Sequence, residues 1–305
     1  MNTVKKRFGL EPVIFNTVNY FLLLCVLVVT LYPFLNTIAV SLNEGLDTTR
    51  GGIYLWPREF TWKNYESVFN SGHLFQAAWI SVARTIAGTV LSVFFTSMLA
   101  YVLSRPEYMF KKSVTIIVVL TMYFSAGLIP SYFLIKDLHM LNTFWVYIIP
   151  GMISAFNMIV VRTYIHGLPE ALVESAKIDG AGEFRTFISI ILPLCMPVLA
   201  TVSLFVAVGQ WNSWFDTFIY APKQSLSTLQ YELMKLLNNT MNAGTGNAAQ
   251  AAGVNQGGRD SAAGMVTPLS IRAAITIVAA LPIIMVYPFM QRYFVTGMQL
   301  GGVKG

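Results

Sequence analysis

The sequence predicts an all-α membrane protein with six transmembrane helices and a polar helical elbow on one face. Three observations lead there: 55% hydrophobic against 11% charged residues, a mean hydropathy of +0.60 over 305 residues, and apolar runs longer than a soluble core uses. Soluble domains carry roughly 25% charged residues, so this chain lacks the charge to cover a water-facing surface. A helix crossing a bilayer needs about 20 mainly apolar residues. Six segments qualify: Val13–Leu42, Phe75–Leu103, Ser113–Ile135, Asn142–Tyr164, Ile190–Tyr220 and Pro268–Tyr293.

The first segment follows Lys5, Lys6 and Arg7. Its apolar run is too long for a signal peptide and no small-residue cleavage site follows, so it reads as a retained anchor behind a cytoplasmic N-terminus, residues 1–12. The loop Asn43–Leu74 holds the aromatic, turn-rich stretch Ile53–Tyr65, expected to be an ordered cap. Pro130, Pro150, Pro282 and Pro288 fall inside spans, where neighbouring helices can satisfy the backbone groups they free. Between the last two spans lies a loop of residues 221–267. Its middle, Met241–Gly264, is rich in Ala, Gly and Asn and reads as flexible.

Charge sets the orientation. Eleven Lys and Arg residues lie on the face carrying the termini and seven on the other, which predicts both termini in the cytoplasm of a bacterial cell, with the chain in its membrane. The net charge of +6 and pI near 9.3 come from basic residues at span ends rather than from one stripe. Membrane lipid, not nucleic acid, is therefore the expected partner of these charges. Arg84 and Arg272 stand near outer span ends, where snorkelling reaches the interface. Cys25 and Cys195, in or beside apolar stretches, read as small buried hydrophobes.

Several chemistries are missing. The sequence has no G-x-x-x-x-G-K-[ST] phosphate loop and no G-x-S-x-G elbow, and His73, His139 and His166 are isolated. No catalytic or metal site is expected, and a membrane enzyme is the weakest reading. A proton- or sodium-coupled carrier usually keeps acidic residues in mid-membrane; here only Asp216 approaches a span, near its outer end.

The polar stretch 167–193 is the exception to the apolar pattern. Pro169 suits a first helical turn, Glu170 the positive end of that helix, and Gly180-Ala181-Gly182 would break it near Asp179. Ala171, Ser175 and Ile178 then share one small, partly apolar face. A second short helix would run from Glu183 to Ile190. Two readings stand: a plain interfacial connection, or a docking elbow.

The residues Glu174-Ser175-Ala176, Gly180, Ile190 and Leu192-Pro193 match the pattern E-A-A-x-x-x-G-x(9)-I-x-L-P, with Ser175 the one departure. This resembles the cytoplasmic coupling loop of ABC importer permeases. Tyr32–Asn36, Leu55-Trp-Pro57 with Asn64-Tyr65, Ala100–Arg105, Leu141–Thr143 and the ending Gln291–Gly297 resemble the maltose-type carbohydrate permeases. Arg84-Thr85 and Trp211-Asn-Ser-Trp214 look like the subgroup for complex oligosaccharides.

The resemblance implies a type I ABC importer permease fold over residues 13–305, with the coupling loop at 167–193 and a cytoplasmic tail at 294–305. It implies that Glu174, Ser175, Ala176, Asp179, Gly180, Ala181, Leu192 and Pro193 couple the chain to an ATPase. The tail Gly301, Gly302, Val303, Lys304 and Gly305 would reach the ATPase, the alternative being a frayed terminus. Trp211, Asn212, Trp214 and Asp216 would line the sugar path, the alternative being an interfacial aromatic belt. Expected partners are a second homologous permease, two ABC ATPase subunits, an extracytoplasmic sugar-binding protein and an oligosaccharide substrate. The expected cofactors, ATP and Mg, bind the ATPase and not this chain. A secondary carrier, and a permease for a different solute, are the competing functions.

Overall fold

The computed structural model describes residues 10–70, 73–245 and 266–302 and is almost wholly helical. The helices are α1 (Leu10–Ser41), α2 (Gly45–Thr49), α3 (Lys63–Phe69), α4 (Leu74–Ser104), α5 (Lys111–Leu120), α6 (Leu128–Asp137), α7 (Ala155–His166), α8 (Ala171–Ile178), α9 (Glu183–Thr186), α10 (Leu192–Leu194), α11 (Met196–Asn212), α12 (Phe215–Tyr220), α13 (Leu229–Thr245) and α14 (Pro268–Gly302). The chain divides into two compact units, one of Met1–Ser71 with Leu237–Val278, the other of Gly72–Leu236 with Ala279–Gly305.

Among the described residues three helices are long and apolar enough to cross a membrane: Ile14–Ser41, Leu74–Ser104 and Pro268–Val286. Two further helix pairs are long and apolar enough only when taken together, as a broken span or a re-entrant loop: Phe144–Gly151 with Ala155–His166, bent by 52°, and Glu183–Leu194 with Met196–Asn212, bent by 82°. The expected continuous helix Ser113–Ile135 is instead α5 and α6, ten residues each, interrupted at 121–127. Gly127, at φ +84°, closes the break, and Pro130 fits in the first turn of α6, where no backbone donor is needed. Each piece is about 15 Å long, half the hydrocarbon thickness. The expected span Ile190–Tyr220 also starts later, at Met196. Residues Phe187–Ile191 form a π-turn and Pro193 and Pro197 withhold backbone donors, so the chain bends before the long helix begins. At the other end α14 does not stop at Tyr293 but continues to Gly302. In the loop after α12, residues 229–245 are helical; the remainder of the stretch expected to be flexible, 246–264, lies outside the described residues.

In the first unit, α1 displays apolar side chains on all sides, from Ile14 and Phe15 to Phe34, and Cys25 is exposed with them rather than buried. That suits a lipid or protein surround, not water. The cap after α1 is ordered by Asn43, which is fully buried. Its amide nitrogen donates to the Asp47 carboxylate at 3.0 Å, and its oxygen accepts from the backbone of Arg58 and Glu59 at 2.8 and 2.9 Å. The Asn43 hydrogen bond and then Arg58 hold the Asp47 carboxyl below its ordinary pKa, against an opposing push from burial.

In the second unit, α4 is the central element and packs against α7 and α11. Its inward face carries Ser81, Arg84, Gly88, Ser92, Thr96, Ala100 and Ser104, a stripe of small side chains broken only by arginine. Small residues let membrane helices approach closely. Toward the end of α4 the core closes with Leu103, Met158, Val161, Phe187, Ile191 and Val202.

Candidate functional site

The elbow has the expected two arms. Helix α8 ends in a paired hydrogen-bond motif: Ala181 N–H donates to the Ala176 carbonyl at 2.9 Å and Gly180 N–H to the Lys177 carbonyl at 3.0 Å. This is the Schellman arrangement, which needs a left-handed residue after the cap. Gly180 supplies it with φ +75°. Helix α9 then starts at Glu183 and leads through the π-turn to Leu192 and the exposed Pro193.

Burial sorts the residues of the elbow. Val173 and Ala176 face inward, both 4% exposed, while Glu174, Ser175, Asp179 and Gly180 face outward. The Ala176 side chain therefore packs against the body of the unit. Its side chain is small because the core lies behind it. Ala171, Ser175 and Ile178 do share the outer face, and Ile178 is 86% exposed. Phe184 of the second arm, missed in the sequence, adds a second exposed apolar side chain at 65%. An amphipathic pattern over four residues of helix is too short to have revealed it. Ala181 and Leu192 are half-buried.

Charged groups tie the elbow down. Lys177 Nζ lies 2.5 Å from Glu107 Oε1, in the connection after α4, and 3.3 Å from Glu183 Oε1. The hydrogen bond with Glu107 raises the Lys177 pKa, and the same bond lowers that of Glu107. The other Glu183 oxygen accepts from the Tyr101 hydroxyl at 2.5 Å. Glu107 did not stand out in the sequence, and Tyr101 did so only as part of Ala100–Arg105 with no role of its own, because nothing local marks contacts formed across 70 and 82 residues.

The residues read as a sugar path separate on inspection. The Trp211 indole N–H donates to the Ala279 carbonyl at 3.1 Å, and the ring is 8% exposed, so it is a packing group. Asn212 is exposed and Trp214 half-buried. Asp216 takes a bidentate pair from Arg84, at 2.5 and 3.1 Å, and further bonds from the Ser213 hydroxyl and the Thr217 backbone, both 2.9 Å. Arg84 is 2% exposed, which corrects its reading as a snorkelling residue. The Gln210 oxygen accepts from it at 2.9 and 3.1 Å, and the Tyr147 ring centroid lies 4.4 Å from its guanidinium carbon. A Cβ at Gly88 would come within 2.9 Å of the Gln210 side chain, so glycine is what lets Gln210 reach Arg84. Gly301 and Gly302 form the last residues of α14, and Val303, Lys304 and Gly305 lie outside the described residues.

A family model described as "Binding-protein-dependent transport system inner membrane component" matches residues 93–300, which include the whole elbow. The chain belongs to this family. It is a permease subunit of an importer, not an enzyme, and its place is the inner membrane. Such a component works with an ATPase and a solute-binding protein. Among its relatives, Protein LplC of Bacillus subtilis is 34% identical, covering 96% of this permease and 95% of its own length. The polygalacturonan/rhamnogalacturonan transport system permease protein YtcP of the same organism is 32% identical over 97% and 98%. The permease also superimposes with a TM-score of 0.81 on a chain from a crystal structure of a bacterial ABC transporter involved in the import of the acidic polysaccharide alginate. That chain is 26% identical, with coverage of 95% of this chain and all of the other.

Proposed function

We propose that this permease translocates oligosaccharides delivered by an extracytoplasmic sugar-binding protein, with α8, the Gly180 turn and α9 docking into an ATPase subunit. The observation that carries the docking is the outward-facing elbow: a helix closed by its capping motif, with Glu174, Ser175, Asp179 and exposed Ile178 turned outward. The sugar reading rests on relatives that transport polygalacturonan and arabinooligosaccharides by name. In this reading α5 and α6 together make the sixth span, both termini are cytoplasmic, and residues 221–267 face the binding protein. A second homologous permease and two ATPase subunits complete the complex, and the ATPases alone hold ATP and Mg. The tail Gly301–Gly305 contacts the ATPases. Asn212 and Trp214, which retain accessible surface, line the sugar path beside Asp216, and Trp211 supports them.

The test is ATP hydrolysis by the complex of this permease with its neighbouring permease and an ATPase. Sugar-loaded binding protein is expected to stimulate hydrolysis, and Gly180→Trp, which puts a bulky side chain on the docking turn, is expected to abolish both stimulation and co-purification of the ATPase. Uptake into liposomes without ATP would instead establish a carrier and overturn the reading.

A further inference from the structure

The elbow's two arms meet at Gly180-Ala181-Gly182, where the capping hydrogen bonds of Gly180 and Ala181 run back to α8 and hold that arm but not the other. A push on such a turn would fold the arms against each other unless something bridged them. Lys177 does so. It stands on the last turn of α8 and reaches Glu183, the first residue of α9, across the turn at 3.3 Å. The same ammonium reaches Glu107, beyond the end of α4, at 2.5 Å.

The bridge continues inward. Glu183 accepts a short hydrogen bond from Tyr101, which is 3% exposed and lies in the last turn of α4. The Tyr101 ring packs on Phe187 of the π-turn with centroids 5.5 Å apart, and Arg105 covers it at 4.8 Å. One unbroken set of contacts thus runs from the exposed elbow to the buried end of the helix that packs against α7 and α11. We propose that Lys177, Glu107, Glu183 and Tyr101 form a coupling clamp: positioning residues that make the elbow and α4 move as one body, so that ATP-driven motion is passed to the spans and not lost in the glycine turn. This rests on the elbow being the ATPase docking site.

Exposed ion pairs add little to stability, and Tyr101→Phe keeps the buried ring while removing only its hydroxyl, so both changes leave the fold in place and alter how force is passed on. The experiment uses the complete complex in liposomes and measures sugar uptake and ATP hydrolysis together. Lys177→Met and Tyr101→Phe are each expected to keep the ATPase bound and hydrolysis stimulated, while sugar moved per ATP falls at least ~5-fold, the lower end of typical coupling strengths. Lys177→Arg, which keeps the charge, is expected to restore the ratio. Raised salt, which screens exposed pairs, is expected to lower the ratio in the natural protein and leave Lys177→Met unchanged. Unaltered uptake per ATP in Lys177→Met and Tyr101→Phe would overturn the clamp, as would loss of the ATPase from them. Retention of the ATPase by Gly180→Trp would overturn the docking reading itself, a separate result.

Discussion

Two clusters in the second unit use the same ionic chemistry in opposite surroundings. Arg84 of α4 meets Asp216 of the short helix α12, the arginine 2% exposed, with the Gln210 and Ser213 oxygens completing its hydrogen bonds. Lys177 meets Glu107 and Glu183 on the elbow, all with side chains at least 39% exposed. A charge taken out of water survives only when paired and hydrogen-bonded. An exposed pair costs little to form and contributes little when formed. The buried cluster is therefore a matter of stability, and the exposed one a matter of geometry.

The sharpest way to break this contrast is to remove one partner at each place. Arg84→Ala leaves the Asp216 carboxylate without its counter-ion, and about 3–5 kcal/mol of destabilisation is expected for a broken buried pair. Thermal unfolding of the detergent-purified complex would measure it. Replacing both Arg84 and Asp216 by leucine is expected to cost much less than Arg84→Ala, since no orphaned charge remains. Equal losses in the single and double variants would show that packing, and not charge, holds Arg84.

A smaller effect separates the two glycines of the elbow. Gly180 has φ +75°, where a side chain costs about 1–2 kcal/mol. Gly182 has φ −70° and no neighbour within 4 Å of a Cβ built on it. Gly180→Ala is expected to loosen the elbow, read as faster amide exchange over 171–186, while Gly182→Ala leaves that exchange unchanged. Similar exchange in both variants would remove the capping motif as the source of rigidity.

How much of this was legible beforehand differs between the clusters. The elbow's existence and its glycine turn followed from local residue types, because a proline-led start and a glycine stop act over one or two helical turns. Apolar length placed the three long helices, but not the break at 121–127, since a run such as Thr121-Met-Tyr-Phe124 is apolar whether helical or not. Arg84 was misplaced for a different reason. Its partners are 126 and 132 residues away, and no pattern in the sequence distinguishes an arginine that snorkels from one that is paired. Separations of 70 and 82 residues likewise hid the contacts of Glu107 and Tyr101 with the elbow. Trp211 was legible as important but not as packing, which depends on the Ala279 carbonyl opposite it.

The smallest expected effect is the pH response of the clamp, and its sign follows from the two shifted groups. Glu107 has its pKa lowered from 4.5 by Lys177, so its contribution is present above that value and is lost as pH falls through the folded pKa. Lys177 has its pKa raised from 10.5, so its contribution is present below that value and is lost as pH rises through the folded pKa. Between these limits both are charged and the clamp is closed. Glu107→Gln is therefore expected to leave the unfolding temperature unchanged at neutral pH while speeding amide exchange over 171–186 relative to the natural protein. Below the depressed Glu107 pKa the two proteins should exchange alike, because protonation has made the same change as the substitution. A difference that persisted there would assign the protection to the glutamate's shape and not to its charge, and the elbow would then be held by packing alone, as Arg84 is not.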